Sequence, residues 1–327
     1  MLAALSVIVL HAVADEVVAP RHDGTWRALV TVDSLVRWPV PVFVMVSGAL
    51  LLDGGRAESS VEFFRRRARR VVIPLVAWTA FYSVWSAVWF HQGWQVRTTA
   101  LAFAHGSAYI HVYFLWIVAG LYVVTPALRS YLATLDRTGT GLLALLLMAA
   151  GAVDQVSRVA LGLSVTDHAL TQWLPYAGYF VAGHWLVQLR TRPSRRALLV
   201  GYGMSSAAVA AGTIAALSHS SSDRSLYLLD YLDPLVVVQA VSVFCLALLT
   251  VRGTGVASSP VWERLAGTTL GVYLVHPLLL AVASRNGFDV RSAPALLSLP
   301  LLVLVVAGLS GLAVSAVMRV PLLRRLV

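Results

Sequence analysis

Long apolar runs recur along the whole chain, each about as long as a helix must be to cross a bilayer's hydrocarbon core, about 20 residues at 1.5 Å rise. The stretch 295–317 carries no charged residue at all. About ten such runs fit, at roughly 1–19, 36–53, 71–90, 111–128, 140–157, 172–189, 197–217, 230–251, 266–284 and 295–317. Backbone inside lipid must satisfy its own hydrogen bonds, so the expected fold class is all-α, a polytopic membrane bundle of about ten transmembrane helices. These spans leave about a dozen residues per loop, so residues 1–327 are read as one integral-membrane domain without a separate soluble domain. The sequence has no internal repeat and no low-complexity tract.

Composition agrees. The chain is 58% hydrophobic and 12% charged, where a soluble domain carries about a quarter charged residues; a soluble enzyme is therefore excluded. The 25 basic side chains are all arginine and give a net charge of +10. They cluster between apolar runs instead of forming a basic face among polar neighbours, which argues against nucleic acid as a partner. A single cysteine, Cys245, excludes a disulfide framework and a Cys-rich metal site.

Arginine placement sets the expected orientation, because loops retained in the cytoplasm hold the basic excess. With the N-terminus inside, the inner loops and tail carry Arg56, Arg65, Arg66, Arg67, Arg69, Arg70, Arg129, Arg137, Arg190, Arg192, Arg195, Arg196, Arg252, Arg264, Arg319, Arg324 and Arg325. These seventeen of the 25 leave eight outside. Both termini are then expected in the cytoplasm and the protein in the inner membrane. The fifth run is interrupted near its end by Asp154, Gln155 and Arg158; a re-entrant segment there would invert everything after it. Leu2 to Leu10 followed by Ala12-Val13-Ala14 has the outline of a secretory signal, but no positive stretch precedes it. It is read as the first span.

Ionisable groups inside spans are costly and mark candidate sites. His11 lies about 15 Å along the first helix, near mid-bilayer, and Asp15 shares its face one turn on. A carboxylate there could orient the imidazole; a packing histidine hydrogen-bonded between helices is the plainer alternative. Arg67 and Arg70 share a face of a short helix spanning 61–70, where two guanidiniums could fork onto phosphate oxygens or simply anchor the topology. His276 precedes Pro277 deep in the ninth span, and His184 lies near one end of the sixth. His111 opens the fourth span among aromatics and reads as part of an interfacial belt. His22, His91, His105, His168 and His219 read as solvated. No His-x-x-x-His pair, P-loop, dinucleotide-binding glycine pattern or Gly-x-Ser-x-Gly elbow occurs, so no metal is expected. Ser47-Gly48 reads first as a close helix contact.

In chain order, these residues are His11, Pro41-Val42-Phe43-Val44-Met45-Val46-Ser47-Gly48, and Phe63-Phe64-x-x-Arg67-x-x-Arg70 leading to Pro74. Tyr113-Phe114-Leu115-Trp116, Gly120-Leu121-Tyr122 and Pro126 follow, then Tyr176-x-Gly178-Tyr179-Phe180-x-x-Gly183 and Gly271-Val272-Tyr273-Leu274-Val275-His276-Pro277. Together they resemble the membrane acyltransferase 3 family over essentially the whole chain. Tyr113-Phe114-Leu115-Trp116 and Gly120-Leu121-Tyr122 are most similar to the branch that O-acetylates surface polysaccharides.

The resemblance implies an O-acyltransferase moving an acyl group, by analogy acetyl, from cytoplasmic acyl-CoA to a hydroxyl of an extracytoplasmic sugar or glycan. It implies His11 as the catalytic residue and Arg67 and Arg70 as contacts of the acyl-CoA donor; Asp15 joins His11 as its orienter on helical spacing alone. His276, Tyr273 and Ser47 fall to the substrate side. Members carry an arginine one short span upstream of the first-span histidine, which here would fall just before Met1; the expectation is a start a few residues short. The competing class is a multi-span transporter or flippase of a glycan or small molecule, since intramembrane His, Asp and Arg also line transport paths.

Overall fold

The computed structural model describes residues 2–19, 22–53, 59–89, 96–106, 109, 111–165, 168–189, 191, 193–219, 223–254, 267–290, 295–321 and 323–326. The described residues form helices and no strand. The helices are α1 (Leu2–Val17), α2 (Gly24–Leu35), α3 (Pro39–Leu51), α4 (Ser60–Trp89), α5 (Val96–Ala104) and α6 (Tyr113–Leu132). They continue with α7 (Arg137–Leu161), α8 (Ala177–Gln188), α9 (Arg195–His219), α10 (Pro234–Thr254), α11 (Thr269–Arg285) and α12 (Ala295–Met318).

Every expected span falls on a helix. Among the described residues, seven stretches are long and apolar enough to cross a membrane: Gly24–Leu51, Val61–Trp89, Tyr113–Leu132, Arg137–Leu161, Arg195–His219, Ser225–Val251 and Leu297–Met318. α1, α8 and α11 also lie on expected spans, but are 16, 12 and 17 residues long, short of a full crossing by length. Large apolar side chains point outward, among them Leu145 and Val153 on α7 and Leu297, Leu304 and Leu312 on α12. Such a surface needs lipid around it. The chain is a multi-pass membrane protein of all-α class.

Three elements differ from the sequence expectation. The short helix over 61–70 and the third span are one continuous helix, α4, of 30 residues. Pro74 removes only one backbone bond, the one to the carbonyl of Arg70, and the helix runs on through it. α2 and α5 fall outside every 20-residue apolar run, where the sequence predicts loop; both are short helices of mixed composition. The fifth span is a helix as expected: α7 runs for 25 residues through Asp154, Gln155 and Arg158 and stops at Gly162, whose φ of 68° suits a residue without Cβ. Asp154 there accepts from Ser164 Oγ and Val165 N, both at 2.8 Å, and so folds the following segment back onto the helix.

The chain divides into two compact units, with the boundary inside α3. The first comprises Met1–Phe43 and Thr191–Val320. Here α1 packs on α2, α11 and α12, and α9 packs on α2 and α10. The carbonyls orphaned at helix ends are satisfied by neighbouring side chains. Trp26 Nε1 donates to Val17 O at 3.1 Å at the end of α1. At the end of α2, Gln239 Nε2 donates to Ser34 O (2.7 Å) and the Tyr202 hydroxyl to Leu35 O (2.9 Å).

The second unit comprises Val44–Arg190 and Pro321–Leu326. Here α7 packs on α8, and α4 on α6. α3 and α8 meet backbone to backbone. A Cβ on Gly48 would stand 1.8 Å from Phe180 O, and one on Gly183 would stand 1.9 Å from Met45 O. The Ser47-Gly48 step is thus the close helix contact that small residues permit, and Ser47 is half-buried beside it.

Candidate active site

In the first unit, α1 carries His11 half-buried and α11 carries His276 fully buried. The two imidazole rings lie 5.3 Å apart between centroids, tilted by 38°. Packing of α1 on α11 brings them together across the sequence. Tyr273, one turn before His276, adds its ring at 5.9 Å. His276 Nδ1 lies 3.1 Å from the Val272 carbonyl. A carbonyl only accepts, so Nδ1 holds the proton and Nε2 carries the lone pair of the neutral ring. Pro277 supplies no N–H to the carbonyl of Tyr273, which loosens the ladder at this turn.

Asp15 is exposed near the end of α1, and no hydrogen bond or ion pair joins it to His11. The structure brings His276 to the side of His11, where the sequence suggested Asp15. Arg37, which lies outside the residues proposed from the sequence, is near enough for its charge to act on the buried face of His11. Arg37 Nε donates to Asp33 Oδ2 at 2.8 Å, its Nη2 pairs with the same oxygen, and Nη1 donates to Leu229 O at 3.1 Å. Asp33 is fully buried and four residues before Arg37. That i,i+4 spacing of opposite charges at the edge of an apolar run was the available signal.

In the second unit, Arg67 is half-buried and Arg70 exposed, both on α4. The Arg67 guanidinium carbon lies 5.6 Å from the Phe63 ring centroid and 5.8 Å from that of Tyr122 on α6. Arg67 and Arg70 are both near enough to the Tyr122 hydroxyl for their charges to act on it. His111 is fully buried, edge-on to Tyr82 at 4.8 Å and Tyr109 at 5.6 Å, so it is packed inside the unit and is not a member of an interfacial belt. Its place is set by aromatics from α4 and from the stretch before α6, which the run of apolar residues after it does not reveal. His22, His105, His168 and His219 are exposed; His91, Arg56, Arg190, Arg192 and Arg264 lie outside the described residues. Among the described residues, no group of three or more His, Cys, Asp or Glu side chains converges.

A family model described as an acyltransferase domain, acyltransferase 3, matches residues 1–320. The chain belongs to the acyltransferase 3 family. It is therefore a membrane transferase acting on acyl groups. No curated protein and no solved structure matches it. Within this acyltransferase the first-span histidine of the motif order, His11, is paired with the histidine of the last motif, His276.

Proposed function

We propose that this acyltransferase moves an acetyl group from acyl-CoA to a hydroxyl of an extracytoplasmic sugar or glycan, with His11 as the base. The observation that carries the proposal is the His11–His276 pair at 5.3 Å inside a chain matched along 1–320 by an acyltransferase family. Acyl transfer to an alcohol needs a base for the hydroxyl and a proton for the leaving thiolate. His11 removes the hydroxyl proton as the oxygen attacks the thioester carbonyl carbon. The C–S bond then breaks, and the imidazolium returns its proton to the CoA sulfur. His276, held in one tautomer by Val272, orients His11 or the incoming hydroxyl; Tyr273 packs beside it. Arg67 and Arg70 hold the donor's phosphates, a task suited to forked guanidinium bonding. Asp15 and Ser47 receive no step in this scheme. The acyltransferase sits in the inner membrane with both termini in the cytoplasm, as its arginine distribution suggests.

The test is incubation of membranes containing the protein with acetyl-labelled acetyl-CoA and candidate glycans. Label on the glycan supports the proposal. Movement of an unmodified glycan across the membrane with no label transferred would instead support transport.

A further inference from the structure

A second arginine converges on the ring that Arg67 covers. Arg129 stands in the last turn of α6, and its guanidinium carbon lies 5.0 Å from the Phe63 centroid. Phe63 is fully buried, so two guanidiniums share one aromatic platform. The arrangement follows from helical spacing. Phe63 and Arg67 are one turn apart on α4; Tyr122 and Arg129 are two turns apart on the α6 face that meets them. Arg129 Nε donates to the carbonyl of Leu51 at the end of α3, which fixes the side chain and satisfies an orphan helix-end acceptor.

Stacking on an aromatic ring holds a guanidinium but does not neutralise it. Among the described residues, neither Arg67 nor Arg129 pairs with a carboxylate, and Arg67 Nε is buried without a hydrogen-bond partner. Two half-buried like charges set against one ring repel each other unless an anion joins them. Guanidinium planes laid against aromatics leave their N–H edges free to fork onto a tetrahedral oxyanion.

We infer that Arg67 and Arg129 form a two-pronged phosphate site at this end of α4 and α6. Arg129 is then a ligand contact beyond the Arg-x-x-Arg motif. The inference rests on the proposed donor reading for its physiological ligand, a phosphate of acyl-CoA. A phospholipid headgroup offers the same chemistry, and the experiment separates the two.

Full-length protein is placed in nanodiscs of phosphatidylcholine alone. Binding of coenzyme A and of phosphate-free pantetheine is measured for wild type, Arg129→Gln and Arg129→Lys. The expected result is a coenzyme A Kd about tenfold higher in Arg129→Gln, an intermediate value in Arg129→Lys, and no change for pantetheine. In a second arm, nanodiscs containing phosphatidylglycerol are compared by thermal stability. If wild type binds no coenzyme A but gains stability from the anionic lipid, and Arg129→Gln loses that gain, the phosphate site stands and the donor reading falls. Should Arg129→Gln match wild type in both arms while remaining folded, the inference is overturned. Arg129→Lys keeps the inference testable if the glutamine variant does not fold, because it retains a donor toward Leu51 while losing the fork.

Discussion

Adding a single methyl group at the crossing of α3 and α8 tests how tightly the second unit is built. The Cβ of Gly183→Ala would stand 1.9 Å from Met45 O, and that of Gly48→Ala 1.8 Å from Phe180 O. Ordinary contact begins near 3.4 Å, so each substitution needs the helices to part by the difference, 3.4 − 1.9 or 3.4 − 1.8, about 1.5 Å. The obstructing atoms are backbone, which has no rotamer to escape into. Overpacking costs about 1–3 kcal/mol in general, and each variant is expected near the top of that range, about 3 kcal/mol. Met45 and Gly48 are one turn apart on α3, and Phe180 and Gly183 one turn apart on α8, so both contacts belong to one crossing point. A separation that accommodates one methyl group therefore accommodates the other. The double variant should lose about as much as either single one, a coupling of about 2–3 kcal/mol. Unfolding by SDS in mixed micelles, followed by tryptophan fluorescence, measures all three. Single variants within about 0.5 kcal/mol of wild type, or a double variant whose loss is the sum, would refute the reasoning.

Further outcomes follow from the two units. Arg37→Gln strands the buried Asp33 carboxylate and should cost about 3–5 kcal/mol of stability; adding Asp33→Asn should recover most of it in the same titration. His276→Asn keeps a donor near the Val272 carbonyl but removes Nε2, so acyl transfer should fall at least tenfold with unchanged protein abundance; full activity would remove His276 from the scheme. Replacing Arg67 and Arg70 together with Gln should raise the KM for acetyl-CoA, and an unchanged KM would return them to topological anchoring.

Apolar run length made the helices legible, because lipid-facing residues such as Leu304 and Leu312 are selected by their solvent and need no knowledge of a partner. The same criterion could not find α2 or α5, whose short, mixed sequences are held by contacts instead: Asp23 caps α2 by accepting from Trp26 N at 2.7 Å, and Phe103 of α5 meets the Trp116 ring at 5.2 Å. Of the candidate site, His11 and His276 were each visible as costly polar residues in apolar runs. Their meeting was not, since it depends on how α1 packs on α11. Asp15 was favoured by i,i+4 spacing, yet that rule fixes a shared face and says nothing about which way the face turns. Arg129 read as one more anchor because its role depends on Phe63, a residue on another helix.

The central claim is that His11 carries acyl transfer, and one measurement addresses it most directly. Wild type and His11→Ala are expressed at equal abundance in membranes, given labelled acetyl-CoA and an accepted glycan, and the rate of label transfer is compared. Loss of general-base assistance predicts a fall of about 10²-fold or more for His11→Ala. A variant that transfers label at the wild-type rate would contradict the claim.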